Sequence, residues 1–408
     1  MKTLAIATVC LAIPAIAIGT SQAAEERPII IVDNADAGFS KTGEWNASTR
    51  DPGFYGDGYL WHANGGGEAK ATWQAAIAQP GRYNVYARWV ASKPDDRASN
   101  APYTVKHLDG ETTVRVNLKQ MQSAADQSPW NLLGTFPFRE QAQVVLSNDS
   151  DNSVVADAVK LEYMEPLGAG APERGKLLLQ DDCDAMENWF IEARENGSGE
   201  IADGALRVTS TSQGKGMHAW FRPDLPDNVR IEYDMTVHGP KGFALVFFCA
   251  KGTKGQDIIT GLPARDGTFS QYVRNDDLRC YHLSVHRMGT GSWVDGANLN
   301  RNPAKALVQR NAVDPCPPAE GDQTYHMTLI KTGPRIQLLV DDKPVLLYID
   351  DGEEAYDGGK LGFRQIYESS ISYDNLRVYE AATPPGTWQR LTLQSLPAGP
   401  WQTPAPGS

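Results

Sequence analysis

Two histidines lie four residues apart in the stretch CYHLSVHR, which runs from Cys280 to Arg287. An imidazole titrates near neutral pH, so either side chain could accept or donate a proton in a reaction. Residues 279–303 also contain three arginines, although the formal net charge of the whole chain is -12. The stretch therefore combines groups that move protons with groups that bind anions.

The element that carries these histidines decides what they can do together. Leu283 and Val285 alternate with His282, Ser284 and His286, which predicts a β-strand with an apolar face and a polar face. Four residues along a strand span roughly 13 Å. The two imidazoles are then too far apart to bind one metal ion, so we expect no zinc site here.

The same alternation in KLGFRQIY, from Lys360 to Tyr367, predicts a second strand of this kind. Leu361 and Phe363 suit the core, and Arg364 then faces the polar side with Gly362. Between residues 274 and 310 there are six Lys or Arg against three acidic residues. We expect a locally positive groove that attracts an anionic glycan.

Such a groove suits β-elimination on a uronic acid. That reaction needs a cation or amide to neutralise the carboxylate, a base for the neighbouring carbon-bound proton, and an acid for the leaving oxygen. The candidate base is His286 or His282, the carboxylate would be held by Arg364, Arg301 and Asn298, and the acid would be Tyr272. Further candidate substrate contacts are Arg287, Asn300, Trp293 and Gln365, with Trp45 and Trp61 in the first half of the chain. The alternative is that these side chains form the solvated face of an ordinary strand.

The amino terminus predicts export. Lys2 precedes a short apolar run, and Ser21-Gln22-Ala23 supplies small residues for cleavage, as in a secretory signal peptide over residues 1–24. We expect a secreted or periplasmic protein without a membrane span. The acidic balance argues against nucleic acid as a partner, and we expect a monomer that binds a polysaccharide or oligosaccharide.

Four cysteines follow the predicted cleavage site, namely Cys183, Cys249, Cys280 and Cys316. An even count in an exported chain permits up to two disulfides. No pair has the CxxC spacing of a zinc or redox motif.

Short alternating runs separated by turn residues dominate both halves of the chain, and long helical periodicity is missing. The pattern predicts an all-β chain of two antiparallel β-sandwich domains of the jelly-roll type. The Pro/Gly/Ala-rich stretch 165–175 is predicted to link a first domain at 29–164 to a second at 176–381. Residues 382–408 form a Pro-rich tail.

The pieces IVDNADAGF, YGDGYLW, PGRYNVYARWV, WNLLGTFPF and VVADAVKLEY occur in order through residues 30–163. With them, the first domain resembles the golvesin C-terminal / xanthan-lyase carbohydrate-binding-like module. The resemblance implies a jelly-roll sandwich attached to secreted, polysaccharide-active proteins. It does not imply catalysis by this module.

The pieces YHLSVHR, NLNRNP, YHMTLIKTGPRIQLLVDD, GGKLGFRQ and YDNLRVYE occur in order from residue 176 to residue 381. With them, the second domain resembles the YesU-like family of unknown function, which has a concanavalin A-like lectin/glucanase sandwich. The resemblance implies a context of pectin-type or rhamnose-rich polysaccharides. It supplies no catalytic residues.

Acidic residues of the second domain raise two further kinds of site. Glycoside hydrolysis requires two carboxylates, but Glu232 and Asp234 lack the third acid of the Glu-x-Asp-x-x-Glu pattern of concanavalin-like glucanases, because Val237 stands in its place. Asp181 or Asp182, together with Asp374, could bind a structural calcium ion between the first and last strands. No other cofactor is expected.

The favoured interpretation is an exported polysaccharide lyase with an accessory carbohydrate-binding module. The alternatives are a non-catalytic glycan-binding protein with two modules, a glycoside hydrolase of concanavalin-like fold, and a cell-surface interaction or structural protein.

Overall fold

The computed structural model describes residues 28–91, 96–119, 130–167, 172–287, 296–350 and 355–381. The predicted signal peptide, Trp293 and the Pro-rich tail lie outside these ranges. Among the described residues, no helix is both long enough and apolar enough to cross a membrane.

The first module is built from strands β1 to β12. Their bounds are β1 Ile29–Asp33, β2 Phe39–Thr42, β3 Asn46–Ser48, β4 Tyr59–His62, β5 Lys70–Ala76, β6 Gly81–Arg88, β7 Ala101–His107, β8 Gly110–Val116, β9 Asn131–Phe138, β10 Gln141–Ser147, β11 Val154–Ala156 and β12 Ala158–Pro166. They form antiparallel sheets in the orders β1-β12-β6-β9, β2-β5-β10-β7-β8 and β11-β4-β3. In β5, Ala71, Trp73 and Ala75 are buried while Lys70 and Gln74 are exposed, which is the alternation of a strand with one face in the core.

The second module is built from strands β13 to β27 and the short helix α1. Their bounds are β13 Arg174–Asp181, β14 Trp189–Glu192, β15 Gly197–Ala202, β16 Ala205–Ser210, β17 Met217–Phe221, β18 Val229–His238, β19 Phe243–Gly252, α1 Ser270–Val273, β20 Leu278–Val285, β21 Asn298–Asn302, β22 Ala306–Arg310, β23 Asp322–Thr332, β24 Arg335–Val340, β25 Lys343–Ile349, β26 Lys360–Ile366 and β27 Ser370–Ala381. An eight-stranded sheet has the order β15-β16-β27-β18-β23-β24-β25, with β13 paired to β27. A seven-stranded sheet has the order β14-β17-β26-β19-β20-β21-β22.

The main core of the second module lies between these two sheets. Leu283 of β20 and Phe363 of β26 enter it from the seven-stranded sheet, and Tyr373 of β27 enters it from the other. The rings of Phe363 and Tyr373 stack with centroids 3.8 Å apart. The prediction of an all-β chain of antiparallel sandwiches is confirmed.

A buried polar joint connects the two modules. Arg335 of β24 forms an ion pair with Glu165 of β12 at 2.5 Å, and both side chains are buried. Asn84 of β6 donates a hydrogen bond to the carbonyl oxygen of Leu347 in β25 at 2.8 Å. Glu165 therefore belongs to a strand and to this joint, although the sequence assigned it to the linker.

The four cysteines Cys183, Cys249, Cys280 and Cys316 are buried free thiols. The expected disulfides are not found among the described residues. Cys249 and Cys280 lie on neighbouring strands, but Cys249 packs in the core between the sheets and Cys280 packs on the opposite face of its sheet. Burial raises the pKa of each of these two thiols to about 12.

Candidate functional site

The face of the seven-stranded sheet that turns away from the other sheet carries a row of seven side chains, of which all but Leu245 are polar. We call it the outer face. Residues directly opposite each other on neighbouring strands share a face, and the strand register sets seven of them in one row. In strand order the row is Glu192, His218, Arg364, Leu245, Ser284, Asn298 and Arg310.

Part of the outer face is covered by the connection between β19 and β20. Ile258, Tyr272 and Val273 of this connection pack on Trp220 and Phe247 of the sheet. The sequence predicted an open groove here. The structure instead places a second apolar cluster over the strands, because the connection supplies its own apolar side chains.

His218, Arg364 and Tyr272 meet beneath this cover. A guanidinium nitrogen of Arg364, Nη1, lies 3.2 Å from Nδ1 of His218, and Nη2 donates to the carbonyl oxygen of Gly267 at 2.7 Å. The imidazole stacks on the Tyr272 ring with centroids 4.0 Å apart and on the indole of Trp220 at 4.6 Å. His218 and Arg364 are both 0% exposed.

This contact determines where the proton of His218 sits. A guanidinium has donors and no acceptor, so Nδ1 of His218 must accept, and the neutral ring carries its proton on Nε2. Burial and then the charge of Arg364 hold the pKa of His218 well below its usual value. Burial also lowers the pKa of Arg364 to about 10 and raises the pKa of Tyr272. The site therefore holds a neutral imidazole, a cation and a protonated phenol.

An ion pair closes the site at the edge of the sheet. Arg265 and Glu192 approach to 3.0 Å, and both side chains are buried. Glu192 also accepts a hydrogen bond from the indole of Trp220 at 3.0 Å, and Arg265 lies 5.3 Å from the centre of the Tyr272 ring. A cavity of about 510 Å³ opens on the far side, lined by Phe190, Glu192, Ala193, Ile259, Leu262 and Arg265 among others. Arg265 therefore lines this cavity and also lies beside Tyr272 of the cluster.

His282 shares the outer face with Arg364 but does not touch it. The two residues lie two strands apart and are offset by two residues along the strands, which corresponds to roughly 12 Å between their Cα atoms. His282 stacks on Phe247 at 5.0 Å, and Asn302 places its amide nitrogen 2.8 Å from Nδ1. Burial, with Lys305 as the next cause, lowers the pKa of His282 to about 3.

Comparison with known proteins gives a separate family-model match for each module. Residues 30–163 match the family model of the golvesin C-terminal domain, and residues 178–378 match the domain of unknown function DUF1961. The two matches correspond to the two modules, and we call these the golvesin domain and the DUF1961 domain after the models that they match.

Individual relatives show the same division. The uncharacterized protein YesU of Bacillus subtilis is 28% identical over 205 residues, which cover 48% of this chain and 90% of YesU. A xanthan lyase of a Bacillus species is 34% identical over 143 residues, which cover 33% of this chain and 15% of the lyase. A Bacillus subtilis protein of unknown function with a galectin-like fold aligns over 52% of this chain and 100% of its own, with 24% identity and a TM-score of 0.48.

The structure separates His286 from His282 within the DUF1961 domain. His286 follows the last residue of β20 with a φ of 50°, in the left-handed region, so the strand alternation ends before it. Its Nδ1 lies 3.2 Å from the carbonyl oxygen of Cys316, and its backbone N–H donates to Asp314. Arg287 donates its backbone N–H to the same carboxylate at 2.6 Å.

Two other candidate residues of this domain face away from the cluster. Arg301 is paired with Tyr281, on the face opposite to His282, and it forms an ion pair with Asp350 at 3.1 Å. Gln365 points to the core between the sheets, where it donates to the hydroxyl of Tyr373 at 2.5 Å. Register decides both outcomes, since a neighbour in sequence lies on the other face.

Asn298 and Asn300 do lie on the outer face, and both are buried. Among the described residues, Oδ1 of Asn298 has no hydrogen-bond partner. Glu232, the acid of the incomplete hydrolase pattern, lies in β18 of the other sheet and forms an ion pair with Arg174 at 2.7 Å. It is therefore remote from the outer face.

The tryptophans proposed for the golvesin domain are built into its packing. Trp45 is buried, and its indole N–H donates to the carbonyl oxygen of Thr42 at 2.9 Å. Trp61 is half-buried and packs against the core of the module.

The residues predicted to bind calcium have protein partners. Asp181 accepts hydrogen bonds from the backbone N–H of Cys183 and from Asn188, each at 2.8 Å. Asp182 pairs with Arg377 at 2.6 Å, and Asp374 accepts the backbone N–H of Asn375. In the described parts of the chain, no group of three or more His, Cys, Asp or Glu is arranged to hold a metal ion. These carboxylates do not fit a calcium site.

The sequence pattern did not identify three residues of this site, namely His218, Glu192 and Arg265. The stretch MHAWF does alternate, with His218 and Trp220 on one face of β17. That signal alone could not show that Arg364 lies on the next strand, because the pairing of β17 with β26 joins residues far apart in the chain.

Proposed function

We propose that this protein acts on an anionic polysaccharide, and that its DUF1961 domain cleaves the chain by β-elimination at His218, Arg364 and Tyr272. The observation that carries the proposal is the direct contact of an imidazole, a guanidinium and a phenol on the outer face. These are the three kinds of group that elimination next to a carboxylate requires.

Each residue has one role in the proposed step. Arg364 transfers its Nη1 hydrogen bond from His218 to the uronate carboxylate, which frees Nδ1 of the imidazole. That nitrogen takes the proton from the carbon beside the carboxylate. The C–H electron pair becomes the C=C bond, the glycosidic C–O bond breaks, and Tyr272 gives its proton to the leaving oxygen. The imidazolium then returns a proton to the phenolate, so that no oxidant or reductant is needed.

The free-energy cost of burying Arg364 supports a functional role for this residue. Burying a guanidinium carries a desolvation penalty of several kcal/mol, and Nε of Arg364 has no hydrogen-bond partner among the described residues. An apolar residue at this position would avoid that cost. Side chains that weaken a fold in this way concentrate at functional sites.

The golvesin domain supports the polysaccharide context. A xanthan lyase contains a segment that is 34% identical to it. That segment is 15% of the lyase, so the enzyme's own activity is not carried over by the match.

A second candidate function is non-catalytic glycan binding by both modules. Complete burial of His218 and Arg364 favours it, because a substrate reaches them only if the connection between β19 and β20 moves. The ion pair of Glu192 with Arg265 holds that connection against β14. Opening this ion pair towards the cavity is therefore a requirement of the lyase mechanism.

The test is an assay of the purified full chain on pectate, alginate, xanthan and ulvan, followed by the ultraviolet absorbance of unsaturated uronates. We expect product with the wild type, loss with His218→Gln, and no loss with His326→Gln. His326 is a matched control, since its side chain is 37% exposed on the other sheet.

The assay also separates the alternatives. Retention on a polysaccharide gel without product from any substrate would reject the lyase and leave the binding function. New reducing ends without the ultraviolet signal would indicate hydrolysis. Product formation that survives in His218→Gln would refute the assigned base.

A further inference from the structure

A ladder of alternating aromatic rings and cations crosses the golvesin domain. Tyr55 and Trp130 lie with ring centroids 5.8 Å apart, and the guanidinium of Arg88 is 5.8 Å from the centre of each ring. The ammonium of Lys160 is 5.6 Å from the Trp130 ring and 4.1 Å from the Tyr86 ring. We call these five residues the aromatic–cation ladder.

The ladder is held in place by the sheet and by one loop. Arg88 and Tyr86 are two residues apart on β6 and share a face, and Lys160 of β12 is paired with Tyr86. The loop that carries Tyr55 is fixed by a hydrogen bond from its backbone N–H to Asp157 at 3.0 Å. The rings and cations of the ladder are therefore held in position by contacts within the protein.

The ladder is partly accessible to solvent. Tyr55 and Trp130 are half-buried, and the side chains of Arg88 and Lys160 are each 16% exposed. Partial burial strengthens the attraction of a cation for an anion because water screens it less. Burial also raises the pKa of Asp157 to about 8, so this neighbour of Arg88 is mostly uncharged at neutral pH. The ladder therefore holds two cations, and Glu162 lies 3.8 Å from the ammonium of Lys160.

We propose that the aromatic–cation ladder binds a carboxylate-bearing sugar of a polysaccharide. The C–H faces of the sugar would pack against Trp130 and Tyr55, and its carboxylate would contact Arg88 and Lys160. This inference rests on the proposed role of the golvesin domain in glycan binding and adds the site and the charge of the ligand. The ladder takes the place of Trp45 and Trp61 as the candidate sugar-binding site, because both tryptophans pack within the module.

The test is affinity electrophoresis of the full chain in gels that contain pectate, a sulfated glycan or neutral dextran. We expect retardation by pectate and weakening by roughly tenfold in Trp130→Ala, as for the loss of one aromatic contact. Lys160→Gln should weaken binding as well, while Lys106→Gln should not. Lys106 is an exposed lysine on another sheet of the same module, so this variant removes the same charge elsewhere. Thermal melting of each variant verifies that it is folded.

The outcomes distinguish this site from the proposed function. Pectate binding that is unchanged in folded Trp130→Ala and Lys160→Gln would overturn the ladder as the site and leave glycan binding intact. Equal weakening by Lys106→Gln, or equal retardation by dextran, would overturn specific recognition of a charged sugar. Retardation by the sulfated glycan but not by pectate would overturn the proposal that the ladder recognises a carboxylate. A wild-type chain that binds none of the three would overturn the ladder as the proposed binding site, whereas the ultraviolet assay on the four polysaccharides separately decides the proposed function.

Discussion

Glu165 and Arg335 face each other across the joint between the two modules, with their charged atoms 2.5 Å apart and both side chains buried. Arg335 also donates to Gln337 at 2.6 Å, and Arg82 of the golvesin domain lies 3.7 Å from Glu165. The ion pair, together with the hydrogen bond from Asn84 to the carbonyl oxygen of Leu347, joins the two modules through buried polar contacts.

Glu165→Gln should destabilise the chain, because it leaves the guanidinium of Arg335 buried without its counter-charge. Loss of one partner of a buried ion pair costs about 3–5 kcal/mol. Urea unfolding followed by tryptophan fluorescence measures the difference. Arg82→Gln is the control, since that side chain is 34% exposed and an exposed pair contributes about 1 kcal/mol or less. Equal effects of the two substitutions would contradict the importance of burial at this joint.

Arg364→Met should abolish product formation while changing stability little. Removal of the guanidinium relieves its desolvation penalty but takes a donor from the carbonyl oxygen of Gly267. These opposing effects are each of a few kcal/mol, so the variant separates function from folding. Turnover and the urea midpoint are measured on the same preparation. A folded Arg364→Met protein with wild-type turnover would exclude this guanidinium from the reaction.

Gly216→Ala should reduce activity through Arg364. A methyl group at this position would lie 2.8 Å from Cζ of Arg364 and 2.4 Å from the carbonyl oxygen of Gln365, closer than van der Waals contact permits, so the guanidinium must move. Gly214→Ala is a matched control, because no atom lies within 4 Å of a methyl group there. Equal turnover of the two variants would show that the position of Arg364 is not critical.

His282→Gln should make the protein less sensitive to acid. The pKa of His282 falls from 6.5 to about 3 on folding, so below pH 6.5 the unfolded chain takes up a proton that the native state does not. The wild type therefore loses stability as the pH falls through this window, by about 2 kcal/mol at pH 5 for this one group. Urea midpoints at pH 7.5 and pH 5 should differ more for the wild type than for the variant. A parallel loss in both would show that His282 is not held neutral.

Asp157→Asn should make the stability of the protein less sensitive to a rise in pH. The pKa of Asp157 is raised from 3.8 to about 8 by burial, so the native state keeps a proton that the unfolded state has released. The wild type then loses stability as the pH rises from about 4 to 8, with a limiting slope of about 1.4 kcal/mol per pH unit. Asparagine keeps an oxygen acceptor for the N–H of Tyr55 and does not titrate. Melting temperatures at pH 5.5 and pH 8.5 should diverge less for the variant, and an unchanged divergence would refute the raised pKa.

The amino-acid sequence by itself determined the all-β class and the inward or outward direction of most strand residues. Leu283 and Phe363 are in the core, and His282 and Arg364 are on the other face, because side chains alternate along a strand whatever its neighbours are. Composition and motif order also divided the chain into two modules, since each carries its own set of alternating runs.

Only the tertiary structure decided which polar residues meet. The pairing of β17 with β26 brings His218 to Arg364, and the pairing of β20 with β21 puts Arg301 on the face opposite to His282. His286 has a left-handed backbone conformation and so does not continue the alternation of β20. The apolar connection between β19 and β20 covers part of the outer face. Local alternation depends on neighbouring residues, whereas register, strand ends and covering segments depend on contacts between distant parts of the chain.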